Sequence, residues 1–186
     1  MGEPLAIDSI TASVVQGALE NIAVEMGHKL MRMSYSSIIR ESEDFGAALV
    51  DAEGRGLAES AQSTPLQSGP IPGYIRGILK ALRERRDAVR PGDVIMHNDA
   101  YGGASHGPDV AFAVPVFHDG RLVAFAATTA HHLDIGALSR AAAASSMPLT
   151  PMPKGSSSKP SRSMTAASAT TRCGSFCVTI SASPTS

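Results

Sequence analysis

The chain has 186 residues, enough for one domain with a core of its own, and a net formal charge of −1. That balance gives no reason to expect nucleic acid or an anionic membrane as a partner. No apolar run approaches the roughly 18 residues of a membrane span, and Met1-Gly2-Glu3-Pro4 carries no signal or transit pattern, so the expected location is cytoplasmic.

The average hides a break near residue 140. All 17 acidic residues precede it, against 11 Lys and Arg, whereas residues 140–186 hold five Lys or Arg, no Asp or Glu, and mostly Ser, Ala, Thr and Pro. Both cysteines, Cys173 and Cys177, lie in this second part.

In chain order, Asp8-Ser9 can cap a helix starting near Ile10. Ile10, Val14, Ala18, Ile22, Met26, Leu30 and Met33 recur at three- and four-residue spacing, which predicts a long amphipathic helix with its Met-rich end in the core. Ser36 to Asp44 is a polar connection. Phe45 to Val50 and Arg55 to Ala58, around Asp51-Ala-Glu-Gly54, predict a first hairpin. Ser60 to Pro72 reads as a loop. A second helix follows to about Val89, with Tyr74, Ile75, Ile78, Leu79 and Leu82 on one stripe. Arg83, Arg85 and Arg86 near its C-terminal end need no anionic ligand, because positive charge is favourable there. Pro91-Gly92 stops this helix, and Asp93 to Met96 continues as a strand.

The densest chemistry begins at His97-Asn-Asp-Ala-Tyr-Gly-Gly-Ala-Ser-His-Gly-Pro-Asp109 and returns at His131-His132-Leu133-Asp134, which together hold four of the six histidines. Between them, Asp109 to Phe117 and Arg121 to Thr129 read as the two strands of a hairpin turning at His118-Asp-Gly120. Such a hairpin brings its open ends together, so His106 and Asp109 would face His131 and His132. Neutral imidazoles and a carboxylate at one rim suit a divalent transition metal. Without a metal, the same residues are ordinary solvated loop groups and Asp109 closes a turn. His97 and Asp99 either orient the ligand imidazoles or only order the loop, while His132 and Asp134 lean to the orienting role. His28 and His118 read as structural or exposed. Gly102, Gly103 and Gly107 would let the backbone fold tightly around the motif.

The element order, a long helix, a hairpin, a second helix, a strand and a second hairpin, describes an α+β unit. No Gly-Lys-Ser/Thr loop and no Gly-x-Gly-x-x-Gly fingerprint occurs, so any ATP used would be bound by another chain.

Arg40-Glu-Ser-Glu-Asp-Phe-Gly-Ala-Ala-Leu49, His97-Asn-Asp-Ala-Tyr-Gly-Gly103, Ser105-His-Gly-Pro-Asp109 and Ala130-His-His-Leu-Asp-Ile-Gly136 together resemble the hydantoinase B/oxoprolinase family over about residues 7–139. The resemblance implies a B-type subunit carrying a divalent metal (Zn, Mn or Fe). It would act with an A-type subunit that uses ATP to activate a small cyclic amide such as a hydantoin or 5-oxoproline. Acetone and acetophenone carboxylases are related, so a ketone carboxylase subunit is the alternative. The family's ligand positions fall on His106, Asp109 and His131, with Asp44 as an upstream fourth. Gly107 stands where a bulky residue is usual, and only Ala104 and Ser105 separate Gly103 from His106. A metal would lower the pKa of a water and make a nucleophile near neutral pH, suited to an activated acyl carbon.

The resemblance implies residues 1–139 as an N-terminal, incomplete piece of a larger domain. Residues 140–186 read as a disordered tail and, more sharply, as an out-of-frame translation of the same gene. Were Lys159 to Met164 coded AAG CCA TCA AGG TCT ATG, one of the codon choices open to these residues, a base restored in front would give Lys-Ala-Ile-Lys-Val-Tyr. Similar sense continues toward Thr185. On that reading the cysteines carry no redox or metal information, and the product has no activity of its own.

Overall fold

The structure is a computed structural model in which residues 7–133 and two short segments, 167–169 and 177–181, are described. It is an α+β arrangement. Helix α1 (Ser9–Met33) leads through a short α2 (Ser37–Arg40) into strands β1 (Phe45–Asp51) and β2 (Gly56–Glu59). Two helices follow, α3 (Pro65–Ser68) and α4 (Ile71–Arg85), then β3 (Asp93–His97) and a 3-10 turn at Ala100–Gly102. The long hairpin β4 (Asp109–His118) and β5 (Arg121–His131) completes the main body, and β6 (Ala167–Ala169) and β7 (Cys177–Ser181) are added from the later segments. The sheet order is β2-β1-β5-β4-β3-β7-β6, with every neighbouring pair antiparallel.

Helix α1 starts where its cap permits. Asp8 accepts hydrogen bonds from the N–H groups of Ile10 and Thr11 at 3.0 and 2.9 Å, pairing two of the donors that every helix start leaves free. Of the expected apolar stripe only Met26 and Leu30 are partly buried, Ile22 and Met33 being exposed; the residues of α1 that are buried are Ala23 and Gly27, whose small size lets the helix lie close. Leu30 and Met31 pack with Ile39, Phe45 and Ala130, while Ile10, Val14 and Met33 are exposed. The first tie from α1 to the sheet is Gln16, whose side-chain amide donates to the Leu57 carbonyl of β2 at 3.3 Å.

Helix α4 covers one face of the sheet. Ile71, Ile75, Ile78 and Leu82 interlock with Ala48, Val50, Ile95, Ala113, Phe125 and Ala127, the main core. The helix ends at Arg86, which takes a left-handed φ of 55° and sends its N–H back to Leu82 and Arg83 carbonyls. Arg83, Arg85 and Arg86 are exposed, as a solvated end requires. On β4 the residues alternate strictly: Asp109, Ala111, Ala113 and Pro115 are buried toward α4, while Phe112, Val114 and Val116 on the opposite face are each about two-fifths exposed.

Two stretches read as connections contain single-turn helices, α2 and α3. Neither is long enough to show a periodic pattern. Composition alone gives no reason to expect strands within 140–186, yet β7 pairs with β3 and β6 pairs with β7. Strand β3 offers a row of backbone donors and acceptors on that side, and Cys-Val-Thr-Ile is a strand-prone run. The rest of 140–186, including Cys173, lies outside the described residues, as does Asp134. No helix among the described residues is long and apolar enough to cross a membrane.

Candidate metal centre

The hairpin register sets the site. Asp109, the first residue of β4, pairs directly with His131, the last of β5. Opposed residues on an antiparallel pair point to the same face, so both side chains lie on the α4 side of the sheet. His131 Nδ1 is 3.0 Å from Asp109 Oδ1. His106 reaches the same carboxylate from the loop before β4, with Nδ1 2.8 Å from Oδ2. The two imidazoles stack, ring centres 5.2 Å apart and planes at 27°. One donor atom from each of His106, Asp109 and His131 lies within 4.8 Å of the others. Asp109 is fully buried, and the two histidine side chains are 26% and 20% exposed, so the cluster is open on its imidazole side.

Two further side chains complete the carboxylate's surroundings. Gln67 on α3 donates its amide N–H to Oδ1 at 2.9 Å, and Ser105 donates its hydroxyl to Oδ2 at 2.5 Å. Each carboxylate oxygen therefore faces one imidazole and one other donor. A layer behind, Tyr74 of α4 lies with its hydroxyl 3.2 Å from Ser105 Oγ. It accepts the Ser105 N–H at 3.3 Å and donates to the Asp109 carbonyl at 3.4 Å. Burial pushes the Tyr74 phenol above its ordinary value, so it stays a neutral hydroxyl.

The loop that carries His106 is held down by glycine contacts. A Cβ on Gly77 of α4 would overlap the Gly102 carbonyl oxygen, and one on Gly73 would lie 2.9 Å from the Gly103 carbonyl oxygen. Gly103 itself has φ 107°, a conformation that disfavours side chains. His97 fills the same junction. Its Nε2 lies 3.2 Å from the Gly102 carbonyl oxygen, and its ring meets Tyr74 edge-on at 5.7 Å. Asp99 caps the 3-10 turn through the Tyr101 N–H at 2.9 Å. These contacts of His97 and Asp99 are with the motif loop and Tyr74, and no hydrogen bond joins either to the His106 or His131 ring among the described residues.

Asp44 stands at the start of β1 beside His131, its backbone carbonyl accepting the His131 N–H at 3.2 Å. Its carboxylate is not one of the three converging donors. His132 bonds through its backbone N–H to the Pro108 carbonyl at 3.0 Å, closing the hairpin mouth. Burial first, then the neighbouring His131, pushes its imidazole below the ordinary value. His118 is exposed at the opposite end of β4 from Asp109, beside Asp119, and His28 is half-buried on α1.

Gln67, Tyr74 and Ser105 were not legible as site residues. Gln67 sits in a Ser/Gln/Pro/Gly stretch with no periodicity, and Tyr74 belongs equally to the apolar stripe of α4. Only Ser105, adjacent to His106 in the motif, offered a signal. A separate cleft of about 550 Å³ between α1, β2 and the start of α4, lined by Gln16, Glu20, Leu57, Ser68 and Pro72 among others, shares no residue with the trio.

The donor set fits a divalent cation: two imidazole nitrogens and one buried carboxylate, with the carboxylate held by groups that are not themselves ligands.

Known proteins with the same features place the chain. It is 68% identical over 130 residues to a protein of Pseudomonas sp. (strain NS671) named as the B component of a D-/L-hydantoinase, a match spanning 70% of this chain and 22% of that one. The structure of an ATP-dependent caprolactamase from Pseudomonas jessenii superimposes with a TM-score of 0.61 at 33% identity, over 72% of this chain and 22% of that one. A nucleotide-free acetone carboxylase superimposes with a TM-score of 0.64 at 22% identity, over 70% and 17%, a likeness of fold. The chain thus spans about a fifth of the length of these relatives. The sequence pattern of Hydantoinase B/oxoprolinase matches residues 8–149, and with that match the chain belongs to the hydantoinase B/oxoprolinase family.

Proposed function

We propose that this chain contributes the metal-binding rim of a B-type subunit that hydrolytically opens a cyclic amide, a hydantoin, 5-oxoproline or similar lactam, together with an ATP-binding A-type partner. The observation that carries the reading is the convergence of His106, Asp109 and His131 donors within 4.8 Å. Asp109 and the two imidazoles would hold Zn, Mn or Fe, with Asp44 as a fourth donor or that position left to water. A divalent cation bound there supplies Lewis acidity toward an acyl oxygen at neutral pH. The chain's own part is to fix the Asp109 carboxylate between the two imidazoles and to hold the His106 loop against α4. ATP falls to the partner because the sequence contains no phosphate-binding loop. A cytoplasmic location belongs to the same reading.

Cyclic-amide opening is favoured over ketone carboxylation by the relatives of higher identity. The names hydantoinase and caprolactamase accompany 68% and 33% identity, whereas acetone carboxylase shares the fold at 22%. The composition break near residue 140 supports a further element: residues 140–186 are an out-of-frame translation, and the chain by itself turns over no substrate. The test is a gene repaired by one base and co-expressed with the A-type partner. ATP-dependent ring opening that His106→Ala abolishes supports the reading. Carboxylation of acetone or acetophenone in its place supports the alternative, and neither activity marks an inert product.

A further inference from the structure

Resting on that metal reading, we propose that Gln67 is the positioning residue of the centre, fixing the Asp109 carboxylate so that both its oxygens face the imidazoles. Gln67 is 2% exposed, and facing a carboxylate only its NH₂ end can form the 2.9 Å bond to Oδ1. The residue is anchored independently of that bond. Its backbone carbonyl accepts the buried hydroxyl of Thr129 at 3.0 Å, and its backbone N–H donates to the Thr64 carbonyl at 2.9 Å. The stretch before it is tied to β1, with the Thr64 N–H on the Phe45 carbonyl at 3.2 Å and Ser63 Oγ accepting the Ala47 N–H at 2.9 Å.

The sheet carries a notch for this segment. Gly46 pairs with Thr129, and a Cβ at Gly46 would come within 2.7 Å of both the Gln67 carbonyl carbon and Thr129 Oγ1. Only glycine lets α3 descend far enough for the Gln67 amide to reach Asp109. Thr129 is also two residues before His131 on the same face of β5, so one strand locates the imidazole and the group that orients its carboxylate neighbour. A donor that cannot ligate, held by backbone rather than by solvent, is how proteins stiffen a metal's carboxylate ligand.

The test uses the metal-free 186-residue chain titrated with Co²⁺, followed by its visible absorption, and by Zn²⁺ competition. Wild type should bind one equivalent. Gln67→Met, near in size but with no donor, should bind roughly 10–100-fold more weakly and change the Co²⁺ band pattern, with far-UV circular dichroism unchanged. If Gln67→Met does not fold, Gln67→Leu, which likewise can neither donate nor ligate, carries the same expectation. A folded variant with wild-type affinity and wild-type bands overturns the role of Gln67 alone. A wild-type chain that takes up no Co²⁺ overturns the metal reading and this inference with it.

Discussion

Asp109 and His131 face each other across the first rung of the β4–β5 hairpin, Oδ1 and Nδ1 3.0 Å apart. Everything that makes the cluster a site follows from that pairing. A one-residue slip would turn one of the two side chains to the opposite face of the sheet and separate them. His106 is then added by a loop whose path α4 dictates.

Replacing His106 with Ala removes one of three converging donors. In the repaired, full-length protein the expected result is metal content at or below a tenth of wild type and activity lost in parallel, since even groups behind the ligands cost about 10–100-fold. His118→Ala, at the exposed turn of the same hairpin, should change neither. Metal analysis of both purified variants decides it; equal losses would indicate fold damage.

The glycine junction between α4 and the motif loop makes a stability prediction with a built-in contrast. Gly77→Ala should gain about 1 kcal/mol of helix propensity but drive a Cβ into the Gly102 carbonyl, for a net loss of about 2 kcal/mol or more. Gly17→Ala on α1, where an added Cβ meets nothing within 4 Å, should stabilise by about 0.5–1 kcal/mol. Urea midpoints of the two variants against wild type are the measurement.

Much of this arrangement was legible from residue order, and the parts that were not share a cause. The Asp8 cap, both hairpins and the α4 stripe are local patterns, and the juxtaposition of Asp109 with His131 follows from a hairpin's geometry alone. Gln67 comes to the site from 42 residues away through a one-turn helix and a notch at Gly46, and no local pattern encodes such a contact. Gly73 and Gly77 were invisible for the same reason: glycines inside a helical pattern read as weaknesses until the loop they admit is seen. The apolar stripe of α1 is the converse case, clear in residue spacing yet exposed at Ile10, Val14, Ile22 and Met33.

Buried His97 gives the fold a dependence on pH. It is 3% exposed, its Nδ1 has no hydrogen-bond partner among the described residues, and burial pushes its imidazole below the usual 6.5. The unfolded chain therefore takes up this proton first. The stabilisation is complete above about pH 6.5 and is lost as the pH falls from there toward the folded value. The urea midpoint of the metal-free chain should drop between about pH 7 and pH 5, and His97→Gln should flatten that drop. An unchanged slope in His97→Gln would remove His97 as its cause.

The reading frame can be settled at the gene. Restoring one base near codon 140 should open a long frame that continues the family sequence, and sequencing should cover the codons up to 149, where the family match ends. Absence of any such downstream frame would leave residues 140–186 as a genuine extension.

Metal ligation at the hairpin mouth is tested most directly by long-range ¹H–¹⁵N NMR of the histidine rings during Zn²⁺ titration of the metal-free chain. Nδ1 of His106 and of His131 both face Asp109. These two nitrogens should therefore shift together and saturate at one equivalent, while His28 and His118 remain unchanged. No stoichiometric change at His106 and His131, or a response centred on His118, would contradict a metal centre built from His106, Asp109 and His131.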